Sequence, residues 1–188
     1  AQDDSDEANY IANTIKSTCD NDYNKYAILY RTNAQSRAIE EACMANGIPY
    51  RVYGGMKFYD RQEIKDAIAY LKLIYNPNDS QSFKRIVNVP KRAIGETSIQ
   101  NLQKFADEKD ISLMEAIEII EESELNQKTQ TKLKDFKELI DKFQKAYSDY
   151  NLAEFLGLVL EKTGYIRMLQ SENTPEDEAR IENLQELI

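Results

Sequence analysis

The stretch FKRIVNVPKRAIGETSIQNLQKF, Phe83 to Phe105, decides how this chain is read. It predicts a short amphipathic helix, a tight connection through Pro90 to Gly95, and a second helix opening near Thr97. Pro90 lacks a backbone donor and pushes Val89 out of helical space, so the first helix should stop by about Asn88. Gly95 can take a positive φ or let another backbone come close. Thr97 and Gln100 stand in capping-box spacing, and Ile99, Leu102 and Ala106 give the next helix an apolar stripe. A helix N-terminus, with free amides and a partial positive charge, therefore lies beside Lys91 and Arg92, a combination that suits phosphate. Lys84, Arg85, Lys91, Arg92 and Lys104 face only Glu96 within this window, in a chain whose net charge is −9. The plainer reading is a helix–helix turn with a left-handed glycine and solvated lysines. The local reversal of charge sign favours a nucleic-acid phosphate contact.

Outward from this loop, 188 residues suffice for one or two domains with a real core. Charged residues make up 30% and aromatics 10%, the profile of an ordered, soluble protein. The apolar runs are too short to cross a bilayer and no charged-then-apolar leader opens the chain, so the expectation is a cytoplasmic protein without membrane contact. Cys19 and Cys43 are the only cysteines and give no reason to pair, and there is no histidine. Serine–histidine and cysteine–histidine catalysis and most zinc sites are thereby excluded. The acid is unevenly spread: Arg51 to Phe105 is rich in Lys and Arg, whereas the remainder after Phe105 is acidic. The basic third is the candidate contact face, and the acidic part reads as solvated helix surface.

Ahead of the loop, Asp3, Asp4, Asp6 and Glu7 precede Ala8, Ile11, Ala12 and Ile15 at helical spacing; they are explained by helix capping before any metal site. Tyr26 to Arg31 reads as a buried strand, Ile39, Ala42 and Cys43 as the apolar face of a helix closed by Gly47, and Tyr50 to Tyr53 as a second strand. Strand, helix, strand predicts a partial α/β unit of βαβ type, with Arg31, Thr32 and Asn33 at the carboxyl edge where ligands of such sheets sit. Two strands do not make a stable parallel sheet, so the unit looks like a piece of a larger domain. Gly54-Gly55 is either a hinge or a simple turn where composition passes to all-helical. Asp60 and Glu63 should cap a helix carrying Ile64, Ala67, Ile68, Leu71 and Ile74. Capping boxes are expected at Ser112/Glu115 and Asn151/Glu154, a core-facing helix through Leu133, Phe136, Ile140, Phe143 and Tyr147, and a last helix opening at Thr174-Pro175.

None of the six glycines belongs to a GxxxxGK[ST] or GxGxxG loop, and no carboxylate pair stands out as acid and base. No catalytic residue, metal ligand or cofactor site is assigned, and the residues alone describe a binding module.

The segments YAILYRTNAQSRAIEE (26–41), GIPYRVYGGMKFYDRQEIKDAIAYLKLI (47–74), NVPKRAIGETSI (88–99) and ARIENLQELI (179–188) closely resemble the UvrD/PcrA/Rep family of superfamily 1A DNA helicases. The resemblance covers almost the whole chain, with a weak match over 126–151 and the first few residues. It implies a mainly α fold: residues 1–54 as a fragment of the RecA-like 2A domain and 55–188 as the helical 2B subdomain. It implies a parent enzyme that unwinds DNA 3′ to 5′ and serves repair, using ATP and magnesium at a nucleotide site whose Walker motifs are not in this stretch. Arg31 and Asn33, with Thr32 between them, match positions on the single-stranded track. Lys91, Arg92, Ala93, Ile94, Gly95, Thr97 and Ser98 match the Gly-Ile-Gly loop that holds the duplex backbone. Ala93 replaces the first glycine of that loop, which must adjust if the position requires positive φ. Gly54 and Gly55 match the passage from 2A to 2B. The partners implied are DNA, without sequence preference, and the remaining helicase domains. The alternative is a protein-docking module whose acidic helices contact an accessory factor.

Overall fold

The computed structural model describes residues 3–20, 22–53, 55–172 and 174–188. The chain is mainly α-helical, with ten α-helices and no strand among the described residues. It divides into two compact units, residues 1–64 with 175–187 and residues 65–174 with Ile188.

In the first unit, α1 (Asp4–Thr18) is capped by Asp3, whose carboxylate accepts from the Asp6 amide at 2.7 Å. Its Ala8, Ala12 and Ile15 bury against Ala42 and Cys43 of α2 (Ser36–Ala45) and against Ile48. Gly47 takes φ +67 just past α2, the left-handed stop that glycine permits without a Cβ penalty. Both cysteines are buried and free.

The expected βαβ unit is not formed. Tyr26–Tyr30 and Tyr50–Val52 run without regular structure, and Leu29 is 94% and Tyr53 82% exposed. A parallel strand exists only through hydrogen bonds to a neighbour. These two segments do not pair with each other; Ile28 and Tyr50 pack against the core beside α1 and α2 while Leu29 stands open, and only α2 of the predicted unit is regular.

A buried polar network brings the C-terminal helix into this unit. The Arg61 guanidinium donates to Ser36 Oγ at 2.8 Å and to Asn183 Oδ1 at 2.7 Å, and Asn183 Nδ2 donates to Glu63 Oε1 at 2.7 Å. Glu40 accepts from Ser36 Oγ, the Tyr50 hydroxyl and the Phe58 amide. Asn183 belongs to α10 (Pro175–Leu187), so every partner of a buried cation is drawn from segments that meet here.

The second unit holds the rest of α3 (Gln62–Tyr75), then α4 (Ser80–Ile86), α5 (Glu96–Lys109), α6 (Leu113–Glu118), α7 (Gln127–Ala146), α8 (Leu152–Lys162) and α9 (Tyr165–Glu172). α3 starts at Gln62, after a 3-10 turn at Phe58–Asp60, two residues beyond the Asp60 cap that the sequence predicts. The Ser112/Glu115 and Asn151/Glu154 capping boxes are both present. Leu133, Phe136, Ile140 and Phe143 are buried along α7, as their spacing predicts, whereas Tyr147, expected on the same face, opens a 3-10 turn just past the helix and is 60% exposed. Phe83 of α4 meets Phe136 edge to face, ring centroids 5.7 Å apart, which fixes α7 beside the helix that leads into the loop. Asp66, buried, accepts from the Tyr165 hydroxyl at 2.8 Å and pairs with Arg85 at 2.7 Å.

No helix among the described residues is long and apolar enough to cross a membrane, and no group of three or more His, Cys, Asp or Glu among them could hold a metal ion.

Candidate nucleic-acid interface

The loop between α4 and α5 is held from within. Asn88 Oδ1 accepts from the Arg92 amide at 2.8 Å and the Ile94 amide at 3.2 Å, folding the backbone around one side-chain oxygen. Ile94 is 1% exposed and plugs the loop into the core below. Tyr70, fully buried on α3, donates its hydroxyl to the Val89 carbonyl at 2.5 Å.

Arg92 turns inward. One guanidinium nitrogen donates to the carbonyls of Ile86, Val87 and Pro90 at 3.1, 3.2 and 3.2 Å, and the other donates to the Tyr70 hydroxyl at 2.9 Å. The group lies 5.1 Å over the Phe136 ring. A planar fork of donors is the side chain able to reach carbonyls left open at a helix C-terminus while its flat face stacks on a ring. Burial pushes the Tyr70 phenol up, and the Arg92 charge pulls the other way. Arg92 thus builds the loop, and its charge does not point outward as that of Lys91 does.

What remains outward is Lys91, Ala93, Gly95, Glu96 and Thr97, all exposed, with Ser98 half-buried. α5 begins at Glu96 with Gly95 as its N-cap in extended geometry, φ −78, and no side chain caps it. The Thr97/Gln100 box predicted from sequence is therefore not formed, because the helix opens one residue before Thr97. The amide of Ser98 donates to Gly95 O at 2.9 Å, while those of Glu96 and Thr97 precede the first carbonyl that intrahelical geometry can offer. An uncapped helix start beside an exposed lysine is a small anion cradle, with Glu96 as the single opposing charge.

The left-handed residue of the loop is Ala93, at φ +54, and Gly95 is not left-handed. A Cβ in that region costs roughly 1–2 kcal/mol. Lys132 Nζ, from α7, donates to the Ala93 carbonyl at 3.0 Å and braces the strained turn. Sequence reasoning did not connect Tyr70, Phe136 or Lys132 with the loop, and it named Asn88 only as the end of the preceding helix.

In the first unit, Arg31, Thr32 and Asn33 are contiguous and exposed. Gln35 Oε1 accepts from the Arg31 and Thr32 amides at 2.9 and 3.1 Å, and Asn33 O accepts from Ser36 N at 3.2 Å. Their backbone is thus fixed at the start of α2, while the Arg31 and Asn33 side chains stay at the surface. Arg31 borders a groove of about 380 Å³ with Asp4, Glu7 and Leu29, and Arg31 and Asn33 both line a second of about 450 Å³ with Tyr30 and Tyr53. Gly55 is exposed, and a Cβ there would meet only Asn33 Oδ1, at 3.9 Å. Gly54 lies outside the described residues.

A separate apolar groove of about 500 Å³ in the second unit is lined by Leu71, Ile74, Tyr75, Tyr147, Tyr150 and Leu152. Tyr75 is 92% exposed.

A family model described as the UvrD-like helicase C-terminal domain matches residues 1–188. The chain is 41% identical over 192 residues to the ATP-dependent DNA helicase PcrA of Leuconostoc citreum, covering 100% of this chain and 26% of that protein. It is 42% identical over 185 residues to the proteins of the same name from Staphylococcus epidermidis and Staphylococcus aureus, covering 97% of this chain and 25% of each. The chain spans about a quarter of the length of these relatives.

Proposed function

This chain belongs to the family of UvrD-like helicase C-terminal domains, and from that membership and the loop geometry we propose that it holds duplex DNA by its phosphate backbone within an ATP-dependent DNA helicase. The carrying observation is the uncapped start of α5 beside exposed Lys91, on a loop made rigid by Asn88 and Arg92. Lys91, the Glu96 and Thr97 amides and Ser98 contact phosphate. Arg92 and Ile94 shape the loop, and Ala93 and Gly95 keep it narrow enough for a backbone to approach. Such contacts carry no base identity, so binding is independent of sequence. Arg31, Thr32 and Asn33 engage the single strand. Residues 1–54 correspond to part of a 2A domain and 55–188 to a 2B subdomain, with Gly54-Gly55 at the passage. ATP and magnesium are bound by other parts of the parent enzyme, which unwinds 3′ to 5′ and acts in repair.

Titrating this chain with duplex DNA across a salt series tests the reading. The logarithm of the binding constant should fall linearly with the logarithm of salt, equally on unrelated sequences. Salt-independent binding, or none at low salt, overturns it.

The exposed tyrosines around the groove of Tyr75, Tyr147 and Tyr150 favour a second reading, docking of an accessory protein. That contact would survive salt and be lost in Tyr75→Ser.

A further inference from the structure

The groove of about 500 Å³ in the second unit has properties that narrow what can fill it. None of its lining residues is charged, in a chain of which 30% is Asp, Glu, Lys or Arg. Tyr75, Tyr147 and Tyr150 are exposed around it, and none of their hydroxyls has a hydrogen-bond partner among the described residues. Its walls are already in place. Gln144 Nε2 donates to the Ile74 carbonyl at 2.8 Å and so joins the ends of α7 and α3. The Phe155 ring meets Phe143 edge to face at 6.2 Å and lies 6.4 Å from the Tyr150 ring. The groove thus offers flat apolar faces and phenol donors, and no charge.

That chemistry selects among occupants. A nucleic-acid strand needs cations for its phosphates, and the lining supplies none. An amphipathic helix pairs its carbonyls within itself and leaves the phenols without acceptors. A polyproline II segment has no internal hydrogen bonds, so all its carbonyls are free. Its prolines present apolar ring faces and bring no N–H groups that would need acceptors.

We propose that the groove formed by the ends of α3 and α7 and the start of α8 docks an uncharged, proline-rich segment of a partner protein in the polyproline II conformation. The prolines lie against Tyr75, Tyr147 and Tyr150, and the segment's carbonyls accept from their hydroxyls. The proposal rests on the second reading above, that this groove takes an accessory protein, and gives that partner its chemistry. Such a segment is stiff before it binds, so little conformational entropy is lost on docking, and tyrosine is well suited to hold it because one end of the ring is apolar and the other polar.

The experiment titrates this chain, with its tyrosine rings isotopically labelled, with three probes in turn: a polyproline peptide of about ten residues, a stapled amphipathic helix of the same length and an oligothymidylate. Polyproline should shift the ring resonances of Tyr75, Tyr147 and Tyr150 saturably, with an affinity that is unchanged between roughly 50 and 500 mM salt. Tyr75→Ser should weaken it about tenfold or more. Because Tyr75 is 92% exposed, that variant should keep the parental Tm. Tyr75→Phe keeps the ring and removes the donor, and should weaken binding by about threefold. Lys91→Ala should leave polyproline binding unchanged, since the basic loop takes no part. Binding of the stapled helix alone at these tyrosines overturns the polyproline assignment and leaves the docking reading standing. Shifts with the oligothymidylate alone make the groove a single-strand site and overturn both, as does the absence of a shift with any probe. Polyproline binding that is untouched by Tyr75→Ser places the peptide elsewhere and overturns the proposal.

Discussion

Replacing Arg92 with alanine should destabilise the protein before it does anything to charge. The guanidinium makes four donor contacts and stacks on Phe136 at 5.1 Å. Truncating a hydrogen bond to a charged group costs about 1.5–3 kcal/mol each, but the contacts are not additive. The Tyr70 hydroxyl keeps Val89 O as its acceptor, and water can reach part of the α4 terminus, because Arg92 is itself only half-buried. Counting roughly two bonds as lost, each at about 1.5 kcal/mol because the group is half-buried, and about 0.5–1 kcal/mol for the ring contact, the cost is about 3.5–4 kcal/mol. For a chain of this size that lowers Tm by roughly 7–16 °C. The assay is thermal unfolding followed by circular dichroism, with Arg92→Lys beside Arg92→Ala. A single ammonium cannot serve three carbonyls between Ile86 and Pro90 together with the Tyr70 hydroxyl, so Arg92→Lys should recover little stability while retaining full charge. Its duplex affinity should fall at nearly unchanged salt slope. Parental stability in Arg92→Ala, together with a slope reduced by about 1 unit, would refute this and make Arg92 a phosphate contact.

Three further outcomes are expected. Ala93→Gly removes a Cβ from a residue at φ +54 and should raise stability by about 0.5–1 kcal/mol in denaturant titration, with duplex affinity equal or higher; a loss of stability would mean the strain has been misjudged. Tyr50 is pushed up to about 12 by burial and by the Glu40 carboxylate. Its phenol therefore adds stability that is whole below the ordinary value of 10.0 and drains away as pH climbs through 12, and Tyr50→Phe should flatten that part of the stability profile. Hydrogen exchange should reach Tyr26–Tyr53 before Leu133–Tyr147, since the extended segments have no ladder whereas α7 buries four large side chains; equal protection would contradict the account.

Helices were legible wherever a capping residue and an apolar stripe agreed, as at Ser112/Glu115, Asn151/Glu154 and along Leu133 to Phe143. The strands failed for a physical reason: Tyr26–Arg31 has strand composition, but composition cannot supply the neighbour that a ladder needs. Within the loop, the charge run announced a basic turn without distinguishing its members. Lys91 and Arg92 look alike in sequence and differ in space, because only the carbonyls of Ile86 and Val87 and the ring of Phe136 decide which cation is drawn inward. Asn88, Tyr70 and Lys132 reach the loop from outside its basic run, the last from 39 residues away, beyond any local spacing rule. The Arg61–Asn183 bond, spanning 122 residues, is hidden for the same reason.

The account turns on Lys91 as a duplex phosphate contact, and the most direct measurement is the salt dependence of duplex binding by Lys91→Ala beside the parent chain, on two unrelated DNA sequences. Lys91 is exposed and its removal leaves the loop's internal bonds intact. The variant should bind more weakly at low salt and lose about one unit of slope, by the same amount on both sequences. Parental affinity and slope at low salt, or a loss confined to one of the two sequences, would contradict the claim that this loop holds the DNA backbone.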